Sequence, residues 1–422
     1  MSETVDETSE KRSWREVLGP GLVTGAADDD PSGVGTYSQV GAQFGYGMAW
    51  TMFFGFPLLA AIQEICAHIG AVTGRGIAQN LRRHYPRPLL QTVVLMLVFA
   101  NVINLGADLG AMAASLALLI PGPSMLYVAM FGVFSVGLEV VMSYERYSSV
   151  LKWTTLSLFA YVAVVFVSHV PIGEALRSTL IPQFTFDKPH AMALVAIFGT
   201  TISPYLFFWQ AGQEVEEQHR RHTKPLYVAP KKAGRELKRI RIDTLVGMGF
   251  SHLTALTIIV ATAATLHAHG VTDITSAAQA AEALRPIAGD LAFALFALGI
   301  IGTGLLAVPI LAGSAAYGVS ETFGWVEGLD RKPREAKAFY GVIALATLGG
   351  IGLNFLSIDP MRALYWAAVV NGLLAPPLMV VTMLIARNPK AMGHLTISPW
   401  LAFGGWASTA VMFGVAGVFL LS

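Results

Sequence analysis

The sequence predicts an all-α integral membrane protein of eleven spans, the first and sixth of them broken. Three observations predict it. The composition is 54% hydrophobic and only 13% charged, with a mean hydropathy of +0.57, which is not the balance of a soluble domain with one core. Apolar runs near the length of about 20 residues that a spanning helix needs recur along the chain. Two of these runs are interrupted by helix-breaking motifs, Asp30-Pro31-Ser32-Gly33 and Ser203-Pro204-Tyr205.

Taken in order, residues 1–16 are polar and lack an apolar core before a small-residue cleavage site, so they read as a cytosolic tail and not a signal peptide. The spans follow at roughly 17–43, 46–73, 89–119, 124–142, 150–169, 190–216, 242–267, 289–322, 338–357, 361–386 and 397–421. The third, sixth and eighth exceed what a bilayer needs, which predicts tilt, a kink or an extramembrane extension. Residues 17–422 form one transmembrane domain. The lone Cys66 excludes a disulfide within the chain and any thiolate cluster.

Orientation is read from Lys and Arg. With the N-terminus in the cytoplasm, 24 of the 28 fall on inside segments, and only Arg177, Lys188, Arg285 and Arg362 fall outside. This bias places the N-terminus inside, and eleven spans then place the C-terminus outside. The basic stretch from Arg220 to Arg241 is the main positive-inside signal, near anionic headgroups, and not a nucleic-acid patch.

Hydrocarbon supplies no partner for freed backbone groups, so non-helical backbone at that depth lines a cavity or an ion. Two breaks five spans apart mark a midplane site between inverted repeats. An acid at the first break predicts a cationic cargo. Asp30 precedes Pro31, where the chain leaves the α region, so its carboxylate and nearby carbonyls can point together at an ion. It can equally cap the half-helix that Pro31 begins. Asp28 and Asp29 cannot face the same site, because helix neighbours lie about 100° apart. They read as lining a solvated vestibule or as polar packing. In span 6, Thr200 and Ser203 offer hydroxyls beside carbonyls that Pro204 leaves without a donor. Asp108 in span 3 is a buried acid open to an ion path, a ligand-orienting role or a histidine partner. Glu64 and His68 stand at i and i+4 and can satisfy each other. Glu139 and His252 read as structural or gate residues, and Gln210 with Glu214 as lining the inner exit.

Gly19-Pro20-Gly21, the Asp30-Pro31 break, Gly41-Ala42-Gln43-Phe44-Gly45-Tyr46 and Thr73-Gly74-Arg75-Gly76, in this order, resemble the Nramp family of divalent-metal transporters. The resemblance covers nearly the whole chain. It implies the inverted-repeat fold shared with amino-acid symporters. Repeat one then covers about 17–169, repeat two about 190–386, and the extra eleventh helix about 397–421.

The departures from the family pattern carry a prediction. The family's Asp-Pro-Gly-Asn, whose Asp and Asn bind metal, is here Asp30-Pro31-Ser32-Gly33. Its Met-Pro-His, whose sulfur is a ligand, is here Ser203-Pro204-Tyr205. Its span 3 Asp-Leu-Ala-Glu becomes Asp108-Leu109-Gly110-Ala111, without the Glu. The span 10 Gln aligns with Ala368, and Asn371 one turn on is a possible substitute. A thioether favours manganese and iron, while oxygen and water suit magnesium. Magnesium keeps several waters, and the lost Met and Asn side chains imply more room for them. The sequence therefore resembles the Nramp-related magnesium branch. The expected metal ligands are Asp30, Ser203, Thr200, Gly33 and Asn371. Asp108, Tyr205, Gln210 and Glu214 are expected along the ion path or at its gates.

The missing His and Glu imply transport without proton coupling. A divalent cation entering an inside-negative cell gains about 2 × 2.3 kcal/mol per 100 mV. The expected partners are a divalent ion and the lipid bilayer, with no cofactor, nucleic acid or obligatory protein partner. A proton-coupled manganese or iron importer is the nearest alternative. A transport-dead membrane sensor and an amino-acid symporter are more distant. An enzyme is not expected, since the chain has no His-Glu-x-x-His and no phosphate-binding loop.

Overall fold

A proline at the first helical position, with an oxygen-bearing residue just before it, gives both broken spans the same local form. The structure is a computed structural model that describes residues 19–141, 158–168, 170–185, 187–356 and 358–421. The tail and the first half of span 5 lie outside the described residues.

Helices α1 (Pro20–Asp28) and α2 (Pro31–Phe44) make the first span. Next come α3 (Trp50–Thr73), the short α4 (Ile77–His84), α5 (Arg87–Ala117) and α6 (Ser124–Val141). Helix α7 (Phe159–Val167) is the described part of span 5, and α8 (Ile172–Leu180) follows it. The sixth span is α9 (Lys188–Thr201) and α10 (Pro204–Arg220). Then come α11 (Ala233–Thr265), the short α12 (Ala277–Glu282) and α13 (Arg285–Ala288), and α14 (Ala292–Phe323). The chain closes with α15 (Lys337–Leu353), α16 (Pro360–Ala386), α17 (Pro389–Met392) and α18 (Pro399–Leu421).

Among the described residues there is no strand, and nine stretches are long and apolar enough to cross a membrane. The other two expected spans are the first, whose halves are each too short alone, and the fifth. At the first break Asp29 (φ −85°, ψ 46°) leaves the helix, and Asp30 is extended (φ −68°, ψ 169°). At the second, Ile202 (φ −108°, ψ 58°) and Ser203 (φ −77°, ψ 133°) do the same. Pro31 and Pro204 supply no N–H and arrive with φ preset for a first turn.

Small residues bring the central helices together, as expected where lipid offers no hydrophobic drive. A Cβ on Gly25 of α1 would strike the backbone of Gly247 on α11. One on Gly199 of α9 would strike the Ala368 carbonyl on α16. Helix α18 packs outside this centre, against α3, α9 and α16. The seventh span departs from expectation. It begins at Ala233 and not near 242, because the charged stretch 233–241 is rich in helix formers and continues the helix beyond its apolar part. The long eighth span holds Pro309 inside it, a known cause of kinking.

Candidate metal-binding site

Asp30 is 1% exposed and both of its oxygens are engaged. Oδ1 accepts from the Gly33 N–H at 2.6 Å, so Asp30 does cap α2. Oδ2 lies 3.2 Å from the Tyr205 hydroxyl, which also lies 3.1 Å from the Ala27 carbonyl. Tyr205 thus bridges the two sides of the first break from the first turn of α10.

The second break meets the first directly through Tyr205. Ser203 Oγ lies 2.8 Å from both the Gly199 and the Thr200 carbonyls. Thr200 Oγ1 is buried without a partner. Ser32 donates to the Leu364 carbonyl at 3.2 Å, one turn of α16 from where Gly199 abuts Ala368 and Gly372. Asn371 stands between these contacts, 1% exposed, its Nδ2 unpartnered. On α5, Asp108 is fully buried, with both oxygens unpartnered. One turn on, Met112 Sδ and the Pro31 ring meet the same face of Gly304. Among the described residues no three His, Cys, Asp or Glu side chains are arranged to hold a metal. Tyr205 meets the Asp30 carboxylate, and Asp108 on α5 is an electrostatic neighbour of Asp30.

On the side of the N-terminus, the Thr24 hydroxyl donates to Gln210 Oε1, tying α1 to α10. On the other side a cavity of about 270 Å³, lined by Gly35, Gln39, Asp273, Tyr365 and Trp366, reaches to within about one turn of the break.

Residues 21–422 match the family model described as natural resistance-associated macrophage protein-like, Nramp. The chain belongs to the Nramp family. It is 26% identical to a divalent metal cation transporter MntH of Klebsiella pneumoniae, over 99% of this chain and 97% of that one. It is 24% identical to an MntH of Deinococcus radiodurans, over 99% and 93%. Among solved structures, a crystal structure of the Eremococcus coleocola manganese transporter matches with a TM-score of 0.75. It is 17% identical and covers 100% of this chain and 89% of that one. Mhp1, a nucleobase-cation-symport-1 family transporter, matches with a TM-score of 0.59 at 14% identity, over 96% and 91%. The fold is the inverted-repeat arrangement with discontinuous helices 1 and 6.

In this Nramp chain several expected contacts differ from those found. Gly33 does not leave an empty space, because a Cβ there would lie 3.2 Å from the Asp28 carbonyl and 3.3 Å from Asp30 Oδ1 and the Tyr37 ring. The Tyr37 ring is one of the groups that close round this position. Ser203 is not free of the backbone, since its one proton is shared between the Gly199 carbonyl and the Thr200 carbonyl, the latter left without a donor by Pro204. Asp28 and Asp29 line no solvated vestibule, being 0% and 5% exposed and packed on Ser251 of α11. Glu64 and His68 do not pair. His68 Nε2 meets the Leu395 carbonyl at 2.9 Å, and Glu64 lies 3.7 Å from Arg241. Glu214 does not line an open exit. It is buried against Arg239 of α11 at 2.8 Å.

Three contributors went unread in the sequence. Tyr37 lies two turns after Asp30, the same face of a helix, and that spacing could have found it. Ser251 and Asp243 act from α11 on the first span, and no local signal pairs them. The Asp243 carboxylate accepts from the N–H groups of Gly19 (2.9 Å), Gly21 (2.8 Å) and Leu22 (3.0 Å), capping α1 from another helix. Arg239, beside both Asp243 (3.8 Å) and Glu214, joins α10 to this cap.

Proposed function

We propose that this Nramp-family protein is a transporter that carries divalent metal cations into the cytoplasm by alternating access. It prefers hydrated magnesium, moves without obligate proton symport, and holds its N-terminus in the cytoplasm. The names of the curated relatives support a divalent cation as cargo. The observation that carries the magnesium reading is the donor set. Tyr205 reaches Asp30 directly, and Thr200 and Ser203 at the second break and Asn371 on α16 offer oxygen or amide groups, with a serine where the family's thioether is expected. Oxygen donors with one or two carboxylates suit an ion that keeps part of its water. The reading rests on donor chemistry.

Proton coupling lacks its expected pair of groups, with Tyr205 and Ala111 where His and Glu would stand. The free phenol titrates near 10, far from neutrality. Proteoliposomes given an inward magnesium gradient are expected to fill without internal acidification. Uptake is expected to rise when valinomycin and a potassium gradient make the interior negative. Acidification in fixed ratio to uptake would replace this reading with proton symport.

A second reading, a manganese or iron carrier, is favoured by one observation: the Met112 sulfur packs at Gly304 beside Pro31. Competition between magnesium and manganese separates the two. Ser203→Met is expected to shift the uptake ratio toward manganese, because it returns a soft donor to the second break. A ratio unchanged in an active Ser203→Met protein places selectivity elsewhere, and Met112→Leu then tests the other sulfur.

A further inference from the structure

Helix α11 is longer than a bilayer needs. Its 33 residues span about 50 Å at 1.5 Å per residue, against about 30 Å of hydrocarbon. Leu245, Val246, Phe250 and Leu253 are 39%, 41%, 47% and 53% exposed, which makes theirs the face turned to lipid. Toward the start of α11 that face stops being apolar at Arg241. From there Arg241, Lys238 and Arg235, with Lys232 and Lys231 just before the helix, are all exposed. At 100° per residue Lys238, Arg241 and Leu245 fall within about 60° of one another, so cations and apolar stripe share one side. The stretch 231–241 has a single acid, Glu236, and it is turned to Arg239 at 2.7 Å and Arg221 at 3.6 Å. Arg241 has Glu64 at 3.7 Å. Among the described residues Lys231, Lys232, Arg235 and Lys238 form no ion pair.

We propose that this basic end of α11 is a docking surface for anionic phospholipid headgroups of the adjoining leaflet, and that a headgroup bound there steadies the helix that holds α1. Charge selects the occupant. Five exposed cations directly beyond a lipid-facing stripe stand at headgroup depth, where a cluster of that size attracts anionic lipid. Each contributes roughly fivefold near a charged surface. A headgroup there has its acyl chains beside Leu245 and Val246, so a lipid, and not a free phosphate, fits both halves of the face. The other side of α11 meets α1 through Asp243, Gly247 and Ser251, about 150° round the helix from Lys238 and Arg241. Holding one side of a helix limits the movement of the other. The inference does not depend on which ion is transported.

The test places the full-length protein in nanodiscs of phosphatidylcholine with or without phosphatidylglycerol. Spin-labelled forms of the two lipids report how far the protein prefers the anionic one, and hydrogen exchange reports on α1. The wild-type protein is expected to prefer phosphatidylglycerol, and its α1 amides to exchange more slowly where that lipid is present. Lys231→Gln/Arg235→Gln/Lys238→Gln is expected to lose most of the preference and all of the slowing. Arg235→Lys/Lys238→Arg, which keeps the charge, is expected to retain both. Lys332→Gln/Arg334→Gln/Lys337→Gln removes three exposed cations from another segment on the same side and is expected to change neither. Equal association of both lipids with the wild-type protein overturns the proposal. So does a preference lost equally in the two glutamine triples, which would be an effect of net charge alone, or α1 exchange that does not respond to the lipid.

Discussion

Asp30→Ala is expected to lower divalent uptake by at least about 100-fold. Removing groups that merely support a metal ligand costs about 10–100-fold, and the Asp30 carboxylate meets Tyr205 of the second broken span at 3.2 Å. The substitution has a second consequence. It removes the cap on α2, since the Gly33 N–H loses its acceptor at 2.6 Å, and a lost cap costs about 1 kcal/mol. Asp30→Asn separates the two effects, because Asn caps as well as Asp but brings no charge. Uptake is expected to fall in both variants, and the melting temperature to fall further in Ala than in Asn. Uptake near the wild-type rate in Asp30→Asn would show that the carboxylate charge is not what binds the ion.

The breaks were legible because their causes are local. A proline restricts itself and the residue before it, so Asp30-Pro31 and Ser203-Pro204 announce themselves within a few residues. Apolar run length gave the spans by the same kind of local rule. What surrounds Asp30 was not local. Tyr205 reaches Asp30 across 175 residues, and Ser251 reaches Asp28 across 223. The sequence offered Tyr205 as a replaced histidine on the ion path or at a gate, and the structure makes it a direct neighbour of Asp30. Volume was misread for a related reason. Counting atoms lost at Gly33 says nothing of Tyr37, whose ring lies 3.3 Å from where a Cβ would stand. Glu64 and His68 show the reverse failure, since a favourable i,i+4 spacing lost to partners on other segments.

These distant contacts make α1 part of a larger unit. Asp243 holds its first turn, Gly247 meets Gly25 in its middle, and Ser251 holds its end. The three α11 residues are spaced four apart, one turn each, along a single face. Glu214 extends the same unit to α10 through Arg239. Opening on the side of the N-terminus must either break this face or carry α1 and α11 together.

Asp243→Ala is expected to loosen α1 along its whole length and to weaken inner closure. The variant leaves three N–H groups at the start of a nine-residue helix without their acceptor. Breaking a buried ion pair costs about 3–5 kcal/mol. Arg239, however, keeps Glu214 at 2.8 Å and Glu236 at 2.7 Å. The loss is therefore closer to that of a strong cap, up to about 2 kcal/mol. At about 1.4 kcal/mol per decade, that accelerates local opening by up to about 30-fold. Hydrogen exchange of the α1 amides is expected to quicken by that factor in Asp243→Ala, with the α14 amides unchanged. Exchange at α1 equal to wild type would show that the cap does not hold the inner half of the first span. Faster exchange spread evenly over α1 and α14 would mean global destabilisation instead of a released gate.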